Sequence, residues 1–382
     1  MALPGKLNLS KFPEGGLIII IIVLGLLLAV FGGEIQRPKF TTNPDGKRVR
    51  LMVVNQAGQQ VPAFERVNKF FNPETLTQIA KDTSFFAIMA IGMTFVIITG
   101  GIDLSIGSTY AMAGVAGALV MSPYGPSGGN MAIALGLLTT IGVAVLAGFL
   151  NGAMIVGLSV HPFIITLGTM AIYRGIAFVL TQGQSIGGFP QGFRDFIRQG
   201  VIRDLSLVPL IVMVTICVLG GTLLSRMAVG RKIYAVGGNE TATRYSGIHV
   251  GGVKLLVYIL SGLSAGIAAV LSLGYYGAAS SGDGQGYELD VIASAVVGGA
   301  SLVGGKGSAL GAFLGAIILR LISTGMVILG IPQNYSQIVT GTVVIAAVLL
   351  DELNRFLANR RLLATTARQR KEMVVAPPAV QP

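Results

Sequence analysis

The stretch Gly100–Ser108, with the sequence GGIDLSIGS, is the most informative part of this chain. It separates two apolar runs, Ser84–Thr99 and Thr109–Met121. The acidic residue Asp103 therefore stands among glycines and hydroxyl groups at the edge of a membrane or inside it, where a charge is costly. Glycines at that depth let a membrane helix break where the freed backbone groups line a cavity. The stretch predicts a broken helix beside a polar cavity, or a short loop capped by Asp103 and Ser105, and both can hold together.

The composition indicates a protein that crosses a membrane several times. Of 382 residues, 52% are hydrophobic and 11% are charged, whereas soluble domains carry roughly 25% charged residues. The 54 glycines suit helices that pack closely over small residues. A net charge of +11 could suggest nucleic acid, but basic cytoplasmic loops explain the excess better in such a protein.

Ten apolar stretches have the length and composition of membrane helices, for which about 20 residues are needed. They run near Gly16–Gly32, Ser84–Thr99, Ser108–Met121, Met131–Leu150, Pro162–Thr181, Leu207–Leu224, Val253–Tyr275, Leu289–Val303, Ser308–Leu329 and Ser336–Leu350. The third and eighth are short and are read as half-helices or tilted helices. The sequence therefore predicts an all-α, polytopic membrane helix bundle of about ten transmembrane helices, some of them broken.

The orientation follows from lysine and arginine in short loops, which favour the cytoplasm. The loop after the sixth helix contains five basic residues and one acidic residue, and the C-terminal tail is also basic. An even number of helices separates these regions, so both are placed in the cytoplasm. We therefore expect a cytoplasmic N-terminus (1–15), a membrane domain (16–353) and a disordered cytoplasmic tail (354–382).

Residues 33–70 form an insertion that this topology places outside, although it is itself basic. The turn signal Asn43–Gly46 precedes the alternating residues Val49, Leu51 and Val53, and a second turn signal follows at Asn55–Gly58. This pattern predicts a small exterior β hairpin, and a flexible loop is the alternative.

Several kinds of chemistry find no support in the sequence. Cys217 is the only cysteine, and His161 and His249 lie far apart without neighbouring ligand residues, so we expect neither a disulfide nor a metal site. No Walker A motif is present, so no ATP site of that type and no cofactor is expected.

A second glycine-rich stretch, Gly298–Ser308, also lies between two apolar segments. Glycine-interrupted segments in two halves of a chain point to the central site of a transporter. Chance similarity in a glycine-rich chain is the alternative.

Four stretches give the chain a specific resemblance to a known family. They are Ile91–Ser108, Leu150–Gly152 with Pro162–Gly175, Gly230–Ile248, and Tyr287–Asp290 with Gly298–Ser308. Over Asn72–Asp351 the chain resembles the permease subunits of bacterial monosaccharide ABC importers, the ribose, galactoside, xylose and autoinducer-2 group. It departs from them in its long insertion, in Arg320, and in Ser323-Thr324, where a pair of asparagines is common.

The resemblance implies a multi-pass subunit of the bacterial inner membrane that performs no covalent chemistry. It would translocate a monosaccharide or similar small polar solute, driven by a separate cytoplasmic ATP-binding subunit. Its further partners would be a periplasmic or extracellular sugar-binding protein and a second permease copy or sister permease.

The cytoplasmic loop at residues 226–252 is the coupling loop by resemblance. A short amphipathic helix that fits a groove on the ATPase would transmit the mechanical work. The residues proposed for this role are Arg231, Tyr234, Asn239, Glu240 and Arg244. A solvated basic loop is the alternative.

The proposed translocation path contains polar residues near the helix breaks. They are Thr99, Asp103, Ser105, Asn151, Thr166, Arg174 and Ser301. Each hydroxyl or amide could instead serve helix packing. Arg174 could instead pair with Asp103 or with helix-end carbonyl groups, and a structural role is also the alternative for Arg320.

Four residues on the predicted outer side of the membrane have two interpretations each. Glu288 and Asp290 cap the eighth helix or dock an external partner. Tyr275 and Tyr276 belong to an aromatic belt or contact a binding protein.

Two rival functions follow from other readings. A secondary transporter would use Asp103 or Arg174 for ion coupling and need no ATPase, but the cytoplasmic docking loop argues against it. An intramembrane enzyme lacks a supporting nucleophile–base pair or HExxH motif.

Overall fold

The computed structural model describes residues 14–43, 48–55, 58–198, 200–202, 205–343, 345–346 and 348–349. Among the described residues up to Leu329, twelve α-helices follow one another along the chain. They are α1 (Gly15–Phe31), α2 (Pro73–Ile98), α3 (Ile106–Met121), α4 (Asn130–Leu158), α5 (Pro162–Thr181), α6 (Gln191–Arg198), α7 (Leu207–Arg226), α8 (Ala228–Gly238), α9 (Glu240–Tyr245), α10 (Val250–Tyr276), α11 (Tyr287–Val297) and α12 (Ala309–Ile328).

The described residues support a helical membrane bundle. Six helices among them, α2, α4, α5, α7, α10 and α12, are long and apolar enough to cross a membrane. The predicted segments Gly16–Gly32, Ser108–Met121 and Leu289–Val303 overlap the shorter helices α1, α3 and α11, with 17, 16 and 11 residues. The predicted end of the eighth segment at Val303 was wrong, because α11 ends at Val297, before the glycines at 298 and 299. The tenth segment is helical at residues 336–343, and its end at Leu350 lies outside the described residues. The number of ten transmembrane helices therefore remains a prediction.

Helix α2 forms the centre of the bundle. From Ser84 to Ile98 it carries only apolar and hydroxyl side chains, and 94% of its most apolar 18-residue stretch is buried, whereas the corresponding stretches of α4, α5 and α7 are 28%, 22% and 22% buried. A helix that is hydrophobic all round is normally buried in a protein interior or in a membrane. The exposed apolar faces of α4, α5 and α7 are therefore suited to contact with lipid. Glycines allow α4 and α10 to pack closely on each other. A Cβ atom at Gly148 would meet the Tyr258 carbonyl, and one at Gly262 would meet the Ala144 carbonyl.

Helix α11 begins in the middle of the bundle. The ring of its first residue, Tyr287, lies 4.3 Å from the ring of Phe86. Phe86 is about 20 Å along α2 from Pro73, which is half the length of that helix at 1.5 Å per residue. Helix α11 therefore runs beside only one half of α2, which is the geometry expected of a half-helix.

The insertion forms paired strands rather than a single hairpin. Its strands are β1 (Glu34–Pro38), β2 (Phe40–Thr42), β3 (Arg48–Arg50), β4 (Met52–Val54), β5 (Gln60–Pro62) and β6 (Phe64–Asn68). The antiparallel pairs are β1 with β6, β2 with β3 and β4 with β5. The prediction of one hairpin is thus corrected to three ribbons.

Three backbone hydrogen bonds join these ribbons in a cycle. The Lys39 amide donates to Ala63, the Ala63 amide to Leu51, and the Leu51 amide to Lys39, at 2.7–2.8 Å. The alternation seen in the sequence correctly indicated extended chain, but this junction depends on contacts between residues far apart in the sequence. The predicted first turn lies outside the described residues at its positions 44–46.

Four short strands complete the described part of the chain: β7 (Ile186–Gly187), β8 (Gly200–Ile202), β9 (Leu205–Ser206) and β10 (Ala278–Ala279). Strands β7 and β10 pair, as do β8 and β9. The tail at residues 354–382 and residues 1–13 lie outside the described residues, so their predicted placement stays a prediction.

Candidate functional site

The chain breaks between α2 and α3 at the stretch that the sequence singled out. Gly100 has φ +78°, a left-handed conformation that glycine adopts without strain. Asp103 is buried, with 2% of its surface exposed. Its Oδ1 atom accepts hydrogen bonds from the Ser105 amide at 3.0 Å and the Ser105 hydroxyl at 2.7 Å. Asp103 therefore forms an Asx-type turn just before α3, whose N-cap residue Ser105 makes no side-chain capping bond.

Asp103 also joins α3 to three other helices. Its Oδ2 atom accepts a hydrogen bond of 2.8 Å from the Ser261 hydroxyl on α10. The Ser105 hydroxyl accepts one of 2.7 Å from the Asn151 side chain on α4. The Tyr173 hydroxyl on α5 donates in turn to the Asn151 side chain at 3.3 Å. These five residues form a buried relay of hydrogen bonds, which we call the Asp103 network.

The carbonyl group of Ile102, freed by the break, has two hydroxyl partners. The Thr166 hydroxyl lies 3.2 Å from the Ile102 oxygen, and the Tyr258 hydroxyl lies 3.3 Å from it. Irregular backbone inside a membrane protein is tolerated when side chains satisfy such groups. Thr166 and Tyr258 thus stabilise the broken backbone beside Asp103.

Arg174 lies away from the Asp103 network and holds a second irregular segment. Its Nη1 atom donates to the carbonyl oxygens of Ser281 and Asp283, at 2.7 and 2.5 Å. Arg174 is about 18 Å along α5 from Pro162, so it lies deep in the helix. The sequence left two structural partners open for Arg174, namely Asp103 and backbone carbonyl groups. In the structure it bonds backbone carbonyl groups and not Asp103. The loop at residues 277–286 therefore dips into the bundle before α11 begins.

The two glycine-rich stretches meet at the far end of α2. The Gly305 amide donates to the Ile98 carbonyl at 2.8 Å, and a Cβ atom at Gly304 would approach the Gly100 amide and the Gly237 carbonyl. A Cβ atom at Gly237, on α8, would overlap the Ile98 carbonyl and the Gly305 amide. We call this meeting point the glycine junction. It brings the two glycine stretches, whose similarity could have been chance, into contact.

Helix α8 contacts the glycine junction through a tyrosine as well. The Tyr234 hydroxyl donates to the Gly307 carbonyl at 2.6 Å. Burial raises the pKa of the Tyr234 phenol above its usual value, so it remains a protonated donor at neutral pH. Helix α8 lies at the Ile98 end of α2, whereas the β element precedes the opposite end at Pro73.

The predicted coupling residues lie on the short helices α8 and α9 and, for Asn239, at the turn between them. The Asn239 side chain caps α9 by accepting a bond of 2.9 Å from the Ala242 amide. Glu240 forms ion pairs with Lys254 at 2.8 Å and with Arg244 at 3.4 Å. The Arg244 side chain on α9 is 72% exposed, and Arg231 lies on the exposed surface of α8. The turn therefore offers both signs of charge to a partner.

Two predicted path residues make more local contacts. The Thr99 hydroxyl donates to the Val96 carbonyl at 2.8 Å, and the buried Ser301 lies in the glycine junction, where its amide donates to Lys306 at 3.1 Å. Arg320 lies over the Phe86 ring at 3.9 Å. These contacts are those of structural residues, and they leave a role in the path as a prediction.

The tyrosine pair at the end of α10 has an unexpected partner. The Lys81 ammonium is buried and lies 4.1 Å from the centre of the Tyr275 ring and 5.5 Å from that of Tyr276. In α11, Glu288 has a buried Oε2 atom without a hydrogen-bond donor among the described residues. No group of three potential metal ligands occurs in the described part of the chain.

Sequence reasoning missed Tyr173, Ser261 and Tyr258 as members of this site. Each lies on an apolar helix, and polar side chains on such helices were the available signal. Single polar residues are frequent in membrane helices, however, and only packing decides which of them face each other.

The chain is similar in sequence to known transport proteins. Residues 75–348 match the protein family described as "Branched-chain amino acid transport system / permease component". The ribose import permease protein RbsC of Escherichia coli is 38% identical over 292 residues, which are 76% of this chain and 87% of that protein. The D-allose transport system permease protein AlsC of Escherichia coli is 38% identical over 284 residues, 74% of this chain and 85% of that protein. The autoinducer 2 import system permease protein LsrC of Klebsiella pneumoniae is 34% identical over 282 residues, 74% and 80% of the two chains.

Proposed function

The chain belongs to this family of transport-system permease components, and we propose that its cargo is a monosaccharide or a similar small polar solute. The resemblance inferred from the sequence is confirmed. The chain is a transmembrane permease subunit of an ABC importer, and hydrolysis of ATP belongs to a separate subunit. The names of the ribose, allose and autoinducer 2 relatives favour a sugar over the branched-chain amino acids in the family description.

The glycine junction is the observation that carries the proposed coupling to an ATPase, whereas the sugar cargo rests on the names of the relatives. A permease without its own nucleotide site needs a mechanical link between the surface that the ATPase contacts and the path of the solute. Helix α8 supplies both parts of that link, since its end packs on Ile98 and Gly305 while Tyr234 bonds to Gly307. A movement of α8 would therefore displace both glycine-rich stretches together. The rival secondary transporter has no use for such a link.

The partner of α8 and α9 is a cytoplasmic ATP-binding subunit. Asn239 and the exposed side chains of Arg231, Glu240 and Arg244 are the proposed contacts, because they offer charges of both signs on two rigid short helices. The other partners are an external sugar-binding protein and a second permease copy or sister permease. The location that follows is the bacterial inner membrane, with the β element on the outer side.

The proposed path passes beside the Asp103 network. Thr99, Ser105, Asn151, Thr166 and Ser301 are proposed as parts of its wall, since each is buried and bonded within the protein, and Arg174 fixes an irregular part of that wall. A path must bind weakly, since its cargo has to leave again. Buried, mutually bonded groups suit a wall that keeps its shape while a solute passes.

Reconstitution tests the proposal. The chain is incorporated into liposomes with its ATPase and binding protein, and uptake of radiolabelled D-ribose, D-allose and L-leucine is measured with and without ATP. We expect uptake of at least one sugar that requires ATP and both partners. Uptake driven by an ion gradient without the ATPase would refute the importer mechanism, and uptake of leucine alone would refute the sugar assignment.

A further inference from the structure

A cavity of about 360 Å³ lies between α3, the end of α10 and the irregular loop at residues 277–286. Its volume is at the small end of the range for small-molecule sites, which is roughly 300–1,000 Å³. The side chains that give it chemical character are Tyr110, Ser272, Tyr276, Asp283, Gln285 and Tyr287.

The lining of this cavity combines aromatic faces with hydrogen-bonding groups. The rings of Tyr110 and Tyr287 are 5.7 Å apart, and the Ser272 side chain lines the same cavity. A sugar ring has faces of C–H groups that pack on aromatic rings, and a rim of hydroxyl groups that need donors and acceptors. Tyrosine, serine and glutamine supply both kinds of contact, and the Asp283 carboxylate adds a further hydrogen-bond acceptor.

A second cavity of the molecule has the opposite character. Its volume is about 620 Å³, and its lining is largely apolar, including Ile133, Leu137, Phe196 and Val212. Such a lining offers hydroxyl groups few partners, so burying a sugar there would leave polar groups unpaired. Of the two, the smaller cavity is the one whose chemistry matches a sugar.

The smaller cavity also lies directly beside the Asp103 network. Tyr287 stacks on Phe86 halfway along α2, so the cavity reaches the middle of the bundle. The backbone at Gly284 packs on Gly107, where a Cβ atom on either glycine would meet the carbonyl of the other. Gly107 is two residues from Ser105, a member of the network. On the other side of the cavity, the lining residue Tyr276 is 51% exposed.

Arg174 explains how the wall of the cavity keeps its shape. By bonding the carbonyl groups of Ser281 and Asp283, it holds the loop that contributes half of the lining. The Asp283 carboxylate in turn accepts a bond of 2.9 Å from the Ser280 amide. The loop is therefore a preorganised wall.

We propose that this cavity, lined by Tyr110, Tyr276, Tyr287, Ser272 and Gln285, is a transient sugar-binding site between the outer surface and the Asp103 network. The inference rests on the proposed function and assigns a place to the sugar within it. A site of this kind raises the chance that a sugar released by the binding protein moves inward instead of escaping.

The first experiment compares uptake with ATP hydrolysis in the reconstituted complex. Tyr110→Phe removes one hydroxyl group and keeps the ring, and Gln285→Ala removes an amide. We expect each to lower the sugar transported per ATP by about fivefold, as for the loss of one neutral hydrogen bond. Tyr124→Phe is the matched control, because this half-exposed tyrosine lies outside the cavity. An unchanged ratio in both cavity variants would overturn the inference.

The second experiment needs no transport. Ser185, which lines the cavity, is changed to cysteine in a Cys217→Ser background, and its labelling by a small water-soluble thiol reagent is timed. We expect D-ribose or D-allose at high concentration to slow labelling of Ser185→Cys and to leave the exposed control Ser127→Cys unaffected. Protection by L-leucine instead of the sugars, or by none of them, would overturn the assignment. If the wild-type complex imports no sugar while labelling is still protected, the proposed function fails and the cavity stands as a binding site.

Discussion

The Asp103 network gives the sharpest prediction, through substitutions that remove its central carboxylate. Asp103→Ala removes the acceptor of three hydrogen bonds, two from Ser105 and one from Ser261, at 2.7–3.0 Å. Each hydrogen bond to a charged group contributes about 1.5–3 kcal/mol, so the loss is on the order of 5 kcal/mol. A network weakened by this amount would no longer hold the broken backbone between α2 and α3.

Asp103→Asn separates the contribution of the side chain's shape from that of its charge, because asparagine has the same size and is neutral. The variant keeps one acceptor oxygen for both Ser105 groups, and its amide faces the Ser261 hydroxyl, which can turn and accept. The difference between charged and neutral hydrogen bonds is about 1 kcal/mol for each bond, so the expected loss is about 2–3 kcal/mol. We expect both variants to lower sugar uptake for each molecule in the membrane, with the larger decrease for Asp103→Ala.

Two serines on α10 provide a matched pair for the same network. Ser261→Ala removes the donor to the Asp103 carboxylate, whereas Ser264→Ala removes a hydroxyl that bonds only the Ser261 carbonyl, at 2.7 Å. Both serines are buried on one helix. We expect Ser261→Ala to lower the free energy of unfolding in detergent by about 2 kcal/mol, and Ser264→Ala by less than about 1 kcal/mol.

The assay measures membrane abundance, unfolding free energy and initial uptake for the whole set. Wild-type uptake by Asp103→Asn would mean that the residue is chiefly a cap, since asparagine caps helices well. Normal uptake by Asp103→Ala would refute the assignment of this network to the path.

Three further predictions concern the two ends of the bundle. Tyr234→Phe removes the bond to Gly307 and should preserve ATPase binding while lowering the sugar transported per ATP about fivefold; unchanged coupling would contradict the link through α8. A cysteine at Asn239, in a chain without Cys217, should react with an impermeant reagent only from the cytoplasmic side, and labelling of intact cells would overturn the topology. Deletion of Gly33–Lys69, whose ends are joined by a bond of 2.9 Å, should leave membrane insertion and ATPase assembly intact, and loss of that assembly would place the segment elsewhere.

The sequence by itself determined the class of the protein and most of its helices. The composition and length of the apolar segments decide the protein class and the helices locally, because about 20 apolar residues can cross a membrane whatever surrounds them. The same holds for the break at Gly100–Ser108, since glycines and an acidic side chain cannot continue an ordinary membrane helix there. The resemblance of these stretches to a permease family added the function, which the comparisons confirm.

The sequence could not decide which polar side chains face one another. Asp103 and Ser261 are 158 positions apart, and their contact depends on the rotation and height of α10 relative to α3. Arg174 was equally compatible with Asp103 and with backbone carbonyls until the loop at residues 277–286 was placed. The predicted hairpin became three ribbons for the same reason, since hydrogen bonds between remote strands close them.

The glycine junction and the tyrosine-lined cavity belong entirely to the tertiary structure. Gly237, Gly304 and Ile98 lie in three separate segments, and none carries a polar side chain that would signal a function. Their importance comes from the absence of side chains, which lets three backbones touch. Local sequence determines which segments form helices, whereas the close approach of distant backbones determines how those helices could work together.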